Sequence, residues 1–142
     1  MITHHSSEQL PVAADNRKNW VQAGFLAIAI LFNLCLIGQL ITVGLAVFSD
    51  AGWWQLHVWL VRGYGGLTWL LLAGTFLAPF PKRIRVLTNV LVILLFLQFV
   101  TAHIQQPLPL GILHPLIGFA LFTTSTTLVH RAMSLVMSDS EN

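Results

Sequence analysis

A chain of 142 residues with 56% hydrophobic and only 8% charged side chains is too apolar for a soluble domain, in which about a quarter of residues are charged. Its mean hydropathy of +0.76 excludes a water-soluble globule, whose surface is too large relative to its core to hide four apolar helices. Seven basic residues against five acidic ones give a net charge of +2; the basic residues flank the apolar stretches, so they report orientation in a bilayer rather than nucleic-acid binding.

The leader from Met1 to Asn19 is polar and holds His4, His5 and Pro11. Residues 1–19 read as a frayed or surface-lying tail. The His4–His5 pair reads as solvated, because ordering a flexible pair around a metal costs entropy. The first apolar span runs from about Trp20 to Phe48. Arg17 and Lys18 precede it as in a signal peptide, but the run is about twice a signal's length and follows a long leader, so it reads as a retained anchor.

Span two runs from about Trp54 to Ala78 and is stopped by Pro79 and Pro81. Span three covers about Ile84 to His103. Span four opens on His114-Pro115, where proline's missing N–H costs nothing, and ends near Met133, leaving residues 134–142 as a tail. A bilayer core about 30 Å thick needs about 20 helical residues, and a backbone in lipid must satisfy its own hydrogen bonds. The expected fold is therefore all-α: an integral membrane four-helix bundle over residues 20–133, up-down-up-down.

Orientation follows from Lys and Arg. Arg17 and Lys18 precede span one, Lys82, Arg83 and Arg85 join spans two and three, and Arg131 follows span four. The connections Ser49 to Gly52 and Ile104 to Leu113 hold neither residue type. The positive-inside bias makes both termini cytoplasmic. A bacterial inner membrane is the expected location, since no organelle signal is evident.

This threading brings His57, His103 and His114 to the outer ends of spans two, three and four. His130 lies about 24 Å from His114 along a helix rising 1.5 Å per residue, beside Arg131, and reads as interfacial. Two imidazoles at equal depth on facing helices suit a metal such as iron, and are the usual way a b-type haem is held without covalent attachment. A zinc or copper site wants three or four ligands, and His103 is the available third. Cys35 stands alone, so there is neither an internal disulfide nor a Cys-x-x-Cys-His haem attachment site; it reads as a small buried apolar residue.

Gly118 lies one turn deeper than His114, where a side chain would collide with a flat ring. Gly63, Gly65 and Gly66 open space below His57, or simply let helices approach closely. Arg62 is the one basic residue on the far side. A haem propionate, Asp50 or a lipid phosphate is its expected partner, because an unpaired charge at that depth costs several kcal/mol.

The stretch Gly38-Gln39-Leu40 through Gly44-Leu45-Ala46-Val47-Phe48, with Trp54 and His57, then Gln98 and His114-Pro115, resembles a small bacterial four-span membrane family of unassigned function. The likeness covers roughly Gly38 to Arg131. The same layout is similar to one half-bundle of haem A synthase, where a Gln–Gly helix precedes a histidine on the next span. That resemblance implies His57 and His114 as axial ligands of a b-type haem. It does not carry the synthase reaction, because this chain has one half and no carboxylate within a span.

Asn33, Gln39, Asn89 and Gln98 are costly in lipid and are expected to face the bundle, where interhelical hydrogen bonds average about 0.6 kcal/mol. Gln39 and Gln98 are also placed to reach a cofactor edge or the second nitrogen of a ligand histidine. Hydroxyls of Thr123 to Thr127 are expected to bond their own helix. Trp20, Trp53, Trp54 and Trp59 read as an aromatic belt, and Trp69 as packed.

No phosphate-binding glycine loop, nucleophile elbow or zinc-protease motif occurs, and no paired carboxylates lie in the spans, which argues against a proton pump. Three readings remain. The first is a haem b protein passing electrons near the outer face to membrane redox subunits or quinone. The second is a haem-free structural or assembly subunit of a larger membrane complex. The third is an enzyme or sensor using a His-bound metal or a quinone at the same site.

Overall fold

The computed structural model describes residues 9–104 and 110–140; His4 and His5 lie outside them. The described residues form α1 (Gln9–Phe48), α2 (Trp53–Tyr64), α3 (Leu67–Leu77), α4 (Lys82–His103), a 3-10 turn (Leu110–Leu113) and α5 (His114–Ser140), with no strand among them. Four helical stretches are long and apolar enough to cross a membrane: Arg17–Phe48, Trp53–Leu77, Lys82–His103 and Leu110–Ser138.

Helix α1 begins well before Trp20, so the described part of the leader is helix rather than frayed tail. Pro11 falls in its first turn, where a missing N–H is tolerated, and Ala13, Ala14, Arg17 and Lys18 are good helix formers. After Phe48 the chain turns sharply. The Asp50 carboxylate accepts a hydrogen bond from the Gly52 amide at 2.6 Å, and a Cβ on Gly52 would stand 2.7 Å from that oxygen.

The expected single helix over span two is instead kinked at Gly65-Gly66, which separates α2 from α3. Both glycines keep right-handed helical dihedrals, so the chain bends without reversing. Two consecutive residues without side chains weaken the helix there, and Thr68 Oγ1 donates to the Gly65 carbonyl at 2.7 Å, competing with the backbone ladder. Ala78 is extended, at φ −143° and ψ 159°, as the residue before a proline should be. Pro79 and Pro81 thus end the span as expected. Helix α5 outruns the expected end at Met133 because Leu128, Ala132 and Leu135 continue an inward stripe at helical spacing.

The helices close into a ring: α1 packs on α2, α3 and α5, and α4 packs on α3 and α5. Phe32, Leu71, Ile84, Leu91, Leu121 and Leu128 fill the interior. Asn33 Nδ2 donates to Ser125 Oγ at 3.2 Å and to Thr126 Oγ1 at 3.0 Å, tying α1 to α5. The hydroxyls of Thr123, Thr124, Thr126 and Thr127 donate to carbonyls of their own helix.

Two inward expectations fail. Asn89 is exposed on the outer face of α4, and Trp69 is 63% exposed rather than packed. The α4 interior is already taken by Ile84, Thr88, Leu91 and Leu95, and Asn89 lies off that stripe. On α3 the inward positions are Thr68, Leu71 and Thr75, which leaves Trp69 pointing outward.

Candidate ligand site at the histidine end

His57, His103 and His114 sit at one end of the ring, and Pro79 and Pro81 at the other. His57 lies one turn into α2, half-buried, with the Trp54 ring edge-on at 5.7 Å. Its Nδ1 lies 3.3 Å from Thr42 Oγ1, whose own proton goes to the Gln39 carbonyl at 2.9 Å. His114 opens α5, also half-buried, and its Nδ1 lies 3.2 Å from the Gln98 carbonyl oxygen. The two rings are within electrostatic reach of each other.

These partners fix the tautomers. The Gln98 carbonyl can only accept, and Thr42 Oγ1 has already given its proton to the Gln39 carbonyl, so Nδ1 of each ring carries the proton and donates it. Each Nε2 is then left with its lone pair. This is the arrangement in which a ligand histidine is oriented by an acceptor at one nitrogen while the other is available for coordination.

His103 does not join the pair. It is exposed, and its Nδ1–H donates to the Phe99 carbonyl of its own helix at 2.8 Å. Among the described residues no group of three His, Cys, Asp or Glu side chains stands close enough to hold a metal ion, so a three-ligand site with His103 is not assembled. Asp50 is exposed and occupied with Gly52.

Arg62 is exposed and lies over the Trp59 ring, 5.5 Å from its centroid. A cation–π contact therefore partners the charge, where an anionic partner was expected. Gly65 faces α4, with Leu95 Cδ2 and Phe99 Cζ each 4.0 Å from where a Cβ would stand. The space at Gly118 is not open: Gln98 Nε2 would be 3.1 Å from a Cβ there. Gly63 and Gly66 border open space.

Both glutamines are at this site. Gln39 is buried, and its Nε2 donates to the His57 backbone carbonyl at 3.0 Å. Its side chain also reaches the hydroxyl of buried Tyr64, whose ring stacks edge-on against Phe32 at 5.4 Å. The amide oxygens of Gln39 and Gln98 are both buried and accept no hydrogen bond. Gln98 reaches the His114 ring through its backbone carbonyl, and the Gln39 amide reaches the His57 backbone, where contacts to the ring nitrogens from the glutamine side chains were expected.

The sequence reading passes over Thr42, Thr101 and Tyr64. A signal for the threonines exists: Gln39-Leu40-Ile41-Thr42 and Gln98-Phe99-Val100-Thr101 are the same Gln-x-x-Thr pattern, each followed by a histidine opening the next span.

Residues 39–104 match a family of unknown function (DUF6220). The match covers less than half of the chain. It begins on Gln39, takes in His57, Gln98 and His103, and ends before His114. The resemblance to a family of unassigned function thus has a counterpart, and the likeness to haem A synthase has none. No curated protein and no solved structure matches the chain.

Proposed function

We propose that the chain is a multi-pass protein of the bacterial inner membrane, holding a b-type haem between His57 and His114 near the outer face and passing electrons to or from a membrane partner. The orientation rests on the basic residues. Lys82, Arg83 and Arg85 lie at the end opposite the histidines, as do Arg17 and Arg131, so the histidine end is outer by the positive-inside bias.

The observation that carries the reading is the matched state of the two imidazoles. Each is half-buried, each donates Nδ1–H, His114 to the Gln98 carbonyl and His57 to the Thr42 hydroxyl oxygen, and each keeps Nε2 free. Two such donors suffice for axial ligation of haem and fall short of the three or four protein ligands zinc requires. A bound haem supplies reversible one-electron exchange. The residues of the chain orient the two nitrogens through Thr42 and the Gln98 carbonyl.

The test is a reduced-minus-oxidised visible spectrum of the detergent-purified protein. A sharp alpha band is expected, lost in His57→Ala and in His114→Ala and kept in His130→Ala. A colourless wild-type protein refutes the proposal.

The second reading is a haem-free subunit of a larger membrane complex, and one observation favours it. Asn89 presents an amide on the outward face of α4, where lipid leaves it unsatisfied and a partner helix does not. Under this reading the purified protein is colourless and Asn89→Leu releases it from its complex.

A further inference from the structure

Helix α4 carries two seams. The inward one, Ile84, Thr88, Leu91 and Leu95, is buried against its neighbours. The outward one is Val86, Asn89, Ile93 and Phe96, and Val100 and His103 continue its alternating spacing of three and four. Val86, Ile93 and Phe96 are 49%, 58% and 66% exposed, so this line runs down the middle of the outward face.

Apolarity on that face marks no partner, because lipid is as apolar as leucine. The amide does mark one. Of the amides within the spans, Gln22 and Gln39 are buried, Gln98 is half-buried and Asn33 is bonded to α5. Asn89 is exposed and bonds no described residue. From Lys82 to Asn89 the helix axis rises about 10 Å, too far for so short a side chain to reach headgroup water.

A second copy of the same helix answers this need. An amide holds both donors and an acceptor, so two Asn89 side chains facing each other across a two-fold axis satisfy one another. The seam around it suits the same pairing. A mean spacing of 3.5 residues keeps the same residues in contact along a left-handed helix pair. Val86, Ile93 and Val100 alternate with the other seam residues and are β-branched; each has one preferred rotamer in a helix, so ordering it against a partner costs little entropy. A single amide in such a seam fixes register and the number of strands. Lys82, Arg83 and Arg85 precede the seam and are exposed, so water and salt screen their repulsion across the pair.

We propose that the outward face of α4 docks a second copy of this chain, giving a two-fold dimer whose α4 helices run side by side and whose Asn89 amides bond each other. The dimer does not rest on the haem reading, because this face carries neither His57 nor His114. It keeps the surface of the second reading and replaces a different subunit by an identical one.

The experiment has two arms. Sedimentation equilibrium in density-matched detergent is expected to find the wild-type chain as a dimer. Asn89→Leu should weaken association about tenfold, the ratio an interhelical polar pair supplies, and Asn89→Gln, which keeps the amide, should weaken it less. In the membranes of expressing cells, with Cys35→Ser as background, oxidation should join Ile93→Cys into a species of twice the mass. It should leave Phe76→Cys single, although Phe76 on α3 is 81% exposed. A monomeric wild-type chain, a dimer indifferent to Asn89→Leu, or Ile93→Cys joined only to a different protein overturns the proposal. A visible spectrum of the same sample separates the readings. A colourless dimer refutes the haem reading alone, and a haem-bearing monomer refutes this inference alone.

Discussion

Replacing Gly74 by alanine tests how tightly α1 and α3 are locked, and hence what fixes the ring that carries the site. A Cβ at Gly74 would stand 3.1 Å from Phe25 Cδ2 and 3.9 Å from Cε2. Carbon atoms prefer about 3.5–4.0 Å, so the first contact is too close by about half an ångström. The phenyl ring has little room to yield. Phe25 is 3% exposed, and Phe80, itself 5% exposed, lies behind it with ring centroids 4.6 Å apart. The two helices must separate instead, at about 1–3 kcal/mol, the usual cost of overpacking. Against this stands the helix-propensity gain of glycine to alanine, about 1 kcal/mol. Gly24→Ala isolates that gain, because nothing lies within 4 Å of a Cβ there. Both positions are helical, Gly24 well inside α1 and Gly74 in the last turn of α3, so the propensity gain at Gly74 is no larger than at Gly24, and Gly74→Ala should be less stable than Gly24→Ala by about 1–3 kcal/mol. Equilibrium unfolding in mixed SDS micelles, followed by tryptophan fluorescence, measures both. Equal stability of the two variants refutes the claim that Phe25 is pinned.

Asn33→Leu removes two donations to α5 and should lower stability in the same assay by about 1 kcal/mol, at about 0.6 kcal/mol per interhelical bond; a loss above about 3 kcal/mol would mean a larger network than the one described. His103→Ala should leave any haem band unchanged in position and size, because that ring is exposed and bonded to its own helix; loss of the band would make it a ligand. Orientation is measurable with single cysteines in a Cys35→Ser background. A membrane-impermeant maleimide added to intact cells should label Asp50→Cys, and should reach Lys82→Cys only after the membrane is opened. Both positions are exposed, so the reverse pattern inverts the topology.

Much of the site is legible in the sequence. His57 and His114 stand at one end of the bundle with Gln39 and Gln98 beside them, and each of the four shows as a polar residue near the end of an apolar run. How they connect is not legible. His114 contacts a backbone carbonyl, and a backbone group has no letter in the sequence. Gly118 illustrates the same limit: its missing side chain can be read off the chain, but that the Gln98 amide fills the space depends on the approach of α4 to α5. Arg62 reads as a charge in need of a partner, and Trp59, three residues earlier on the same helix, supplies it.

The four apolar spans, their proline stop and the gathering of histidines at one end are written in the chain itself. Those properties follow from transfer free energy and charge summed locally, residue by residue. Which face of each helix turns inward is settled only by packing, and there Asn89 and Trp69 go against expectation. In water an inward face is marked by being apolar. In a bundle apolar on both faces that contrast is absent, and close packing between residues distant in the chain makes the choice. The kink at Gly65-Gly66 lies between the two. The glycines permit it, while the ring that Leu95 and Phe99 of α4 complete around Gly65 holds the bent span in place.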